Sequence, residues 1–451
     1  MKDFKLVGSF NTMNLKVDSK DGLEIVTVPL VNSSGDLNYG LKKVYEKLIA
    51  NGIVPKEAAL DILFLATLVY LADTRISREL HSQDSWTREI RIELPVLNPD
   101  LFCKTIPVFE KMLNFLTGDK WFITFSKRES SVMLGQQQCI QQTSIDSVTL
   151  FSGGMDSLIS TINYLEQGRR VMLISHAGEG FTKHSQTSIL AEFKKKYPNI
   201  EPFYLDLWMM FEQGFIPEGG NENTTRSRSF LFIALGIFAI SGINNVNILQ
   251  VPENGLIALN IPLDELRVGS HSTRTTHPFY MRSWNEILHI IQLDISINNS
   301  YWNKTKGEMA DECLNKEFLK SIMSKSSSCS SPTKVKWKGL APQHCGYCVP
   351  CIIRRAAMNK AFGLYGDETV YASRTIKELI NRHADAEGVQ LRSFQYAIKR
   401  LKERPEVADL MVYKTGPLQG SHEYIKKLAD VYKRGLLEVD SFIECSMKEG
   451  V

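Results

Sequence analysis

Between Ser147 and Gly255 the chain alternates short apolar runs with segments of helical period. SVTLFSGG is followed by MDSLISTINYLEQG, closed by Gly168. RRVMLISHAG precedes TSILAEFKKKY, which stops before Pro198. EPFYLDLW, SRSFLFIALGIFAISGI and NNVNILQVPENG complete the series. Strand, helix, strand repeated at this spacing predicts a parallel sheet with helices on both faces. The binding crevice of such a sheet lies beyond the carboxyl ends of its strands.

This α/β pattern occupies about a quarter of the 451 residues, and the chain divides around it into segments 1–145, 146–320, 321–365 and 366–451. In the first, the alternating strands LEIVTVPLV, REIRIELPVL and KWFITFS, separated by amphipathic helices, predict an α+β accessory domain with no chemistry-bearing motif. SIMSKSSSCSSP reads as a loop, and the chain beyond Cys351 as a helical extension. The composition, 43% hydrophobic and 23% charged, is that of a globular protein and excludes a disordered or fibrous one. A net charge of +3 without long basic blocks gives no support to a nucleic-acid-coating role. The longest apolar run, FLFIALGIFAI, falls short of the roughly 20 residues that span a bilayer and reads as a buried helix. The amino terminus lacks a secretory pattern, and four of the eight cysteines fall between Cys329 and Cys351. A metal site in a reducing, cytoplasmic setting is therefore expected rather than a disulfide framework.

SGGMDS, residues 152–157, falls where the first strand should end and a helix begin. Glycines there let the backbone approach an anion, and the first N–H groups of a helix are unpaired and carry the positive end of its dipole. Ser152 and Ser157 add hydroxyls, and Asp156, expected on a surface loop, can hold Mg2+. The spacing fits neither a Walker loop nor a dinucleotide fingerprint. The stretch resembles the SGGxDS signature of the PP-loop ATP pyrophosphatases, which split ATP into AMP and pyrophosphate while adenylating an oxygen. The resemblance implies that Ser152, Gly153, Gly154, Met155, Asp156 and Ser157 bind the pyrophosphate part of ATP. By position, Ser175 and His176 at the end of the second strand are expected near the adenine.

Cys345, Cys348 and Cys351 form a C-x-x-C-x-x-C run in HCGYCVPC, with Cys329 upstream. Three thiols so spaced can wrap one ion while a fourth ligand arrives from a distant loop, as in a structural Zn2+ site. Cys329 competes for that place with Cys313 and His344. An iron–sulfur reading is disfavoured because Arg355 stands where a ferredoxin run needs cysteine. Cys103, Cys139 and Cys445 read as ordinary buried or partly buried thiols.

SGGMDS and CGYCVPC together resemble the 7-cyano-7-deazaguanine synthase (QueC) branch of the PP-loop enzymes, over roughly residues 147–362. In TRSRSFLFIALG, Arg228 matches the start of that family's middle helix, with Ser229 where asparagine is usual. The family's PDCR-like motif is replaced by VPENGLIALNIPL and HSTRTTHPF, leaving Glu253, Asn254, Arg274 and His277 as candidate substrate contacts. The full layout is similar to the QueC-like component of Qat anti-phage systems. The resemblance implies an ATP-dependent enzyme that adenylates a carboxylated 7-deazaguanine and transfers it to an amine, with Asp156 and Arg228 as catalytic groups. A protein amine on a partner is the expected acceptor and ammonia the alternative. A PP-loop tRNA-modifying enzyme and a non-catalytic nucleotide sensor are further alternatives.

Overall fold

The computed structural model describes residues 2–449 apart from 12–13, 21, 83, 133–140, 223, 265–273, 331, 374, 383–384 and 386. Among the described residues ten strands form two five-stranded sheets. The first contains β1 (Asp3–Ser9), β2 (Lys16–Lys20), β3 (Leu23–Pro29), β4 (Glu89–Val96) and β5 (Lys120–Lys127), in the order β2-β3-β1-β4-β5. The second contains β6 (Ser147–Leu150), β7 (Val171–Ala177), β8 (Phe203–Trp208), β9 (Ile248–Gln250) and β10 (Ser296–Asn298), in the order β10-β9-β6-β7-β8.

All pairs of the second sheet are parallel, as the alternating pattern predicts. Its central strand is β6, whose four residues are all buried. The chain first winds outward to β8 and then jumps back to β9 on the other side of β6. The topological switch point therefore lies between β6 and β9.

The first sheet departs from the α+β expectation. Only β2 runs antiparallel; β1, β3, β4 and β5 are mutually parallel. The alternating burial of β1 and β4 reports that one face is covered better than the other, which says nothing about strand direction. Neither β1 nor β2 was expected from the sequence.

The covered face packs on helices that are shared with the second sheet. Residues 59–74 of the helix Glu57–Arg75 are all buried, because it lies between its own sheet and the helix Arg228–Ile240. The latter carries the apolar run FLFIALGIFAI and is buried as predicted. Beside this pair, helix Pro99–Thr117 meets helix Pro278–Ile290. There Trp284 stacks on Phe230 with centroids 4.7 Å apart and receives Phe109 edge-on at 6.3 Å. One hydrophobic core thus runs from Phe4 to Ile297 across both sheets.

Charge is also buried at this junction. Arg88, 1% exposed, bonds Asp73 at 2.9 Å and Asp119 at 2.8 Å, and Arg78 bonds Asp119 at 2.6 Å. The second oxygen of Asp73 accepts from Ser227 N at 2.7 Å, at the start of the helix that carries Arg228. The first layer thereby holds the entry of a helix of the second. On the far side, helices Met155–Glu166 and Gly180–Lys196 cover the second sheet. The carboxyl-terminal helices pack with Val349–Phe362 against residues 256–263. No helix among the described residues is long and apolar enough to cross a membrane.

Candidate functional site

The turn that follows β6 is built for close approach. Gly153 has φ +81°, a left-handed conformation that an L side chain rarely adopts. Gly154 then caps helix Met155–Glu166 without any side-chain cap, so the first N–H groups of that helix have no partner from the cap residue. Ser152, exposed, accepts from Gly154 N at 3.2 Å, and Ser157 donates to Gly154 O at 3.0 Å. Met155 is fully buried, so its place at the turn is through its backbone.

The side chains at the end of β7 brace this turn from inside. Ser175 donates to Phe151 O at 2.7 Å and has no exposure. His176 is equally buried; its Nε2 lies 3.4 Å from Met209 O and its ring stands edge-on to Tyr70 at 5.5 Å. Arg228 donates to His176 O at 3.2 Å, which brings its guanidinium to the carboxyl end of β7. The side chains of Ser175 and His176 therefore lie beneath the turn.

Across the switch point, the loop after β9 meets the turn after β6. Asp156 is 8% exposed, not a surface residue as expected. Its Oδ2 accepts from Asn254 N at 3.1 Å and Nδ2 at 2.7 Å, and its Oδ1 accepts from Lys306 Nζ at 2.6 Å. Asn254 is fully buried, and its amide oxygen accepts from Ile257 N at 3.1 Å as the cap of a short helix. Glu253 is half-buried. It accepts from Thr275 at 3.0 Å and from Thr276, and burial, with Asp156 nearby, pushes its carboxyl up. Lys306 was missed by sequence reasoning, although TKGE, residues 305–308, carries the local signal. Thr305 and Glu308 form a capping box that places Lys306 at the first position of its helix.

Arg274 and His277 stand apart from this group. Arg274 donates to Phe115 O at 2.8 Å and lies over the Phe115 ring at 4.4 Å. His277 is fully buried: its Nδ1 accepts from Phe279 N at 3.2 Å as a helix cap and its Nε2 bonds Thr415 at 2.9 Å. Both ring nitrogens are committed, which corrects its expected substrate role. Residues 271–273 of HSTRTTHPF lie outside the described residues.

Burial holds His176 and His277 neutral, each pushed down to about 3 from the ordinary 6.5. Between those values the unfolded chain binds more protons than the folded one, so stability is present above pH 6.5 and is lost as pH falls toward 3. A falling thermal midpoint between pH 6.5 and 4.5 is expected. His277→Asn, which keeps a capping oxygen, should flatten that dependence by about one proton in pH-resolved unfolding.

The second group is the thiol tetrad. Cys345, Cys348 and Cys351 surround the start of helix Val349–Phe362, and Cys329 joins them from the Ser-rich loop. All four Sγ atoms lie within 4.8 Å of one another, with Cys329–Cys348 and Cys345–Cys351 at 3.9 Å. An ion bound at about 2.3 Å to four tetrahedral sulfurs needs edges of about 3.8 Å, so the donor set fits zinc. Gly346 makes the knuckle possible: it has φ +86°, and a side chain there would meet Ser373 O at 2.4 Å. The four thiols shift one another in opposite directions through their mutual hydrogen bonds: Cys329 and Cys348 are held below the ordinary range, and Cys345 and Cys351 are pushed above it.

The rival ligands are elsewhere. Cys313 is buried beside Met309 and Leu319, where burial pushes its thiol up to about 11. His344 bonds Ser326 O at 3.0 Å with one nitrogen and lies 3.8 Å from Cys351 Sγ with the other, supporting a ligand rather than replacing one. The described cysteines are all free thiols. Cys103 is exposed, contrary to expectation, Cys445 is half-buried, and Cys139 lies outside the described residues.

Fold and site together define an α/β protein with a parallel five-stranded sheet, a glycine turn at its switch point and a four-cysteine cluster able to hold a metal such as zinc. No protein-family model matches the chain, and no curated protein matches it.

Proposed function

We propose that the chain is a QueC-like, PP-loop ATP-dependent ligase that adenylates a carboxylated 7-deazaguanine and transfers it to an amine. The acceptor in this reading is an amine of a partner protein, in anti-phage defence. The observation that carries the proposal is the SGGMDS turn at the switch point, with Gly153 at φ +81° and a helix start that has no side-chain cap.

In this mechanism a carboxylate oxygen of the base attacks the α-phosphorus of ATP. The bond from that phosphorus to the bridging oxygen breaks and pyrophosphate leaves. The amine nitrogen then attacks the acyl carbon, loses its proton to solvent, and AMP departs with the former carboxylate oxygen. The turn amides with Ser152 and Ser157 hold the pyrophosphate oxygens, while Lys306 and Arg228 supply positive charge where negative charge develops. Oδ2 of Asp156 already accepts two N–H bonds, so magnesium fits through the remaining lone pair of Oδ1, where it would neutralise phosphate charge beside Lys306. Glu253, on the loop after β9, is the candidate acceptor for the N–H edge of the base.

The test is mass-spectrometric. The protein is incubated with Mg2+, ATP and 7-carboxy-7-deazaguanine, with ammonium or with co-expressed neighbour proteins, and AMP, free base and protein masses are followed together. AMP accompanied by a mass shift on a partner is the expected result. AMP with free amide or nitrile alone would make ammonia the acceptor. Absence of AMP would overturn the ligase reading in favour of a sensing or RNA-modifying one.

A further inference from the structure

The Ser-rich segment is more than a connector. Ser327 N donates to Gly153 O at 2.8 Å, and Ser327 O lies 3.2 Å from the point where a side chain on Gly154 would begin. Its backbone therefore rests on both glycines of the turn. Two residues further along the chain, Cys329 enters the thiol tetrad.

The stretch between these two points is fastened from beneath by a buried cation. Arg354, without exposure, sits on the helix that carries Cys351. It donates to Ser326 Oγ at 2.7 Å, Ser326 O at 3.3 Å and Ser328 Oγ at 3.3 Å, and it also reaches Met323 O and Thr369. His344 adds its bond to Ser326 O. Burying a guanidinium is costly unless its donors are used, and here three of its bonds go to one short loop. On the other flank, Gln186 lies against Gly153, and Lys325 pairs with Glu192 of the same helix. The glycine turn is thus clamped between helix Gly180–Lys196 and the Ser326–Cys329 stretch.

We infer that Ser326–Cys329 is a strap through which the metal centre sets the conformation of the glycine turn, with Ser327 as the positioning residue. Metal occupancy and nucleotide binding are then energetically coupled, a consequence that rests on the nucleotide reading given above. Glycines have the least conformational restriction of their own, so the shape of this turn depends on what is packed on it. A bound ion joins Cys329 to three thiols around the start of helix Val349–Phe362. Without it nothing covalent anchors that end of the strap. Coupling of this kind is reciprocal: a ligand that favours the ordered turn must tighten metal binding by the same factor.

The experiment uses the full chain in four forms: zinc-loaded parent, chelated parent, Ser327→Pro and Ser327→Ala. Ser326 has φ −82° and ψ 147°, a conformation that readily precedes proline, so Ser327→Pro removes the N–H donor while Ser327→Ala keeps it. Three quantities are read: hydrogen exchange in residues 151–160, affinity for the non-cleavable analogue α,β-methylene-ATP by calorimetry, and competition for zinc against a chromophoric chelator. Ser327→Pro should retain zinc, exchange faster in the turn, and bind the analogue about tenfold more weakly. Chelated parent, compared below its lowered unfolding midpoint and with exchange in the helix Glu57–Arg75 as the control for global unfolding, should behave likewise, and Ser327→Ala like the parent. The analogue should raise zinc retention in the parent by the same factor and leave it unchanged in Ser327→Pro. Turn exchange that is unaltered in both Ser327→Pro and chelated parent overturns the strap. A zinc-loaded parent that binds no analogue sinks the nucleotide reading and the coupling with it, while the exchange data decide the strap independently.

Discussion

Asp156→Ala is expected to abolish pyrophosphate release, by at least about a hundredfold, and also to lower stability. Both effects follow from where the side chain lies. It projects from the first turn of helix Met155–Glu166 at the switch point, and it is the partner of Lys306, whose side chain is only 8% exposed. Alanine leaves that ammonium buried without its carboxylate and Asn254 without its acceptor, a change that typically costs about 3–5 kcal/mol. Low activity in the single variant would therefore be ambiguous by itself. Asp156→Ala combined with Lys306→Met removes the stranded charge and should recover most of the lost stability in denaturant unfolding while leaving pyrophosphate release abolished. If either variant releases pyrophosphate within a few-fold of the parent, Asp156 has no part in phosphoryl chemistry.

Loss of the metal is expected to be the most destabilising single change. Structural zinc sites bind with apparent free energies of about 10–16 kcal/mol at neutral pH, and that binding energy is folding energy where the site forms only in the folded chain. The tetrad closes around the start of helix Val349–Phe362, whose Ile352, Ile353 and Ala356 pack with the carboxyl-terminal helices. Its Ala357 and Met358 pack with the helix that follows the glycine turn. Cys348→Ala should release zinc and lower the thermal midpoint by well over 10 °C, measured by metal analysis and calorimetry on the same sample. Cys313→Ala is the control: it removes a buried thiol outside the tetrad and should retain one zinc per chain. Unchanged unfolding of Cys348→Ala would show that the four thiols hold nothing that matters to the fold.

The sequence by itself determined what is local. The alternation of apolar runs with helical segments between Ser147 and Gly255 specified four of the five strands of the second sheet, because burial leaves a signal within each element; the short edge strand β10 lies beyond that stretch and was not read from the sequence. SGGMDS marked a turn that needs a left-handed glycine, and CGYCVPC marked three sulfurs that the knuckle geometry brings together. What tertiary structure decided is pairing over distance. Alternation in β1 and β4 reports one-sided burial but carries no strand direction, so the parallel arrangement of the first sheet followed only from its crossovers. Nothing near Asp156 announces Lys306, 150 residues away, although the capping box that positions Lys306 is itself legible. The choice of Cys329 over His344 and the commitment of His277 to a helix cap depended likewise on which loops the packed helices bring together. Backbone preference and hydrophobic period are properties of a short stretch, whereas partners for buried charges and thiols are chosen when separate elements share one core.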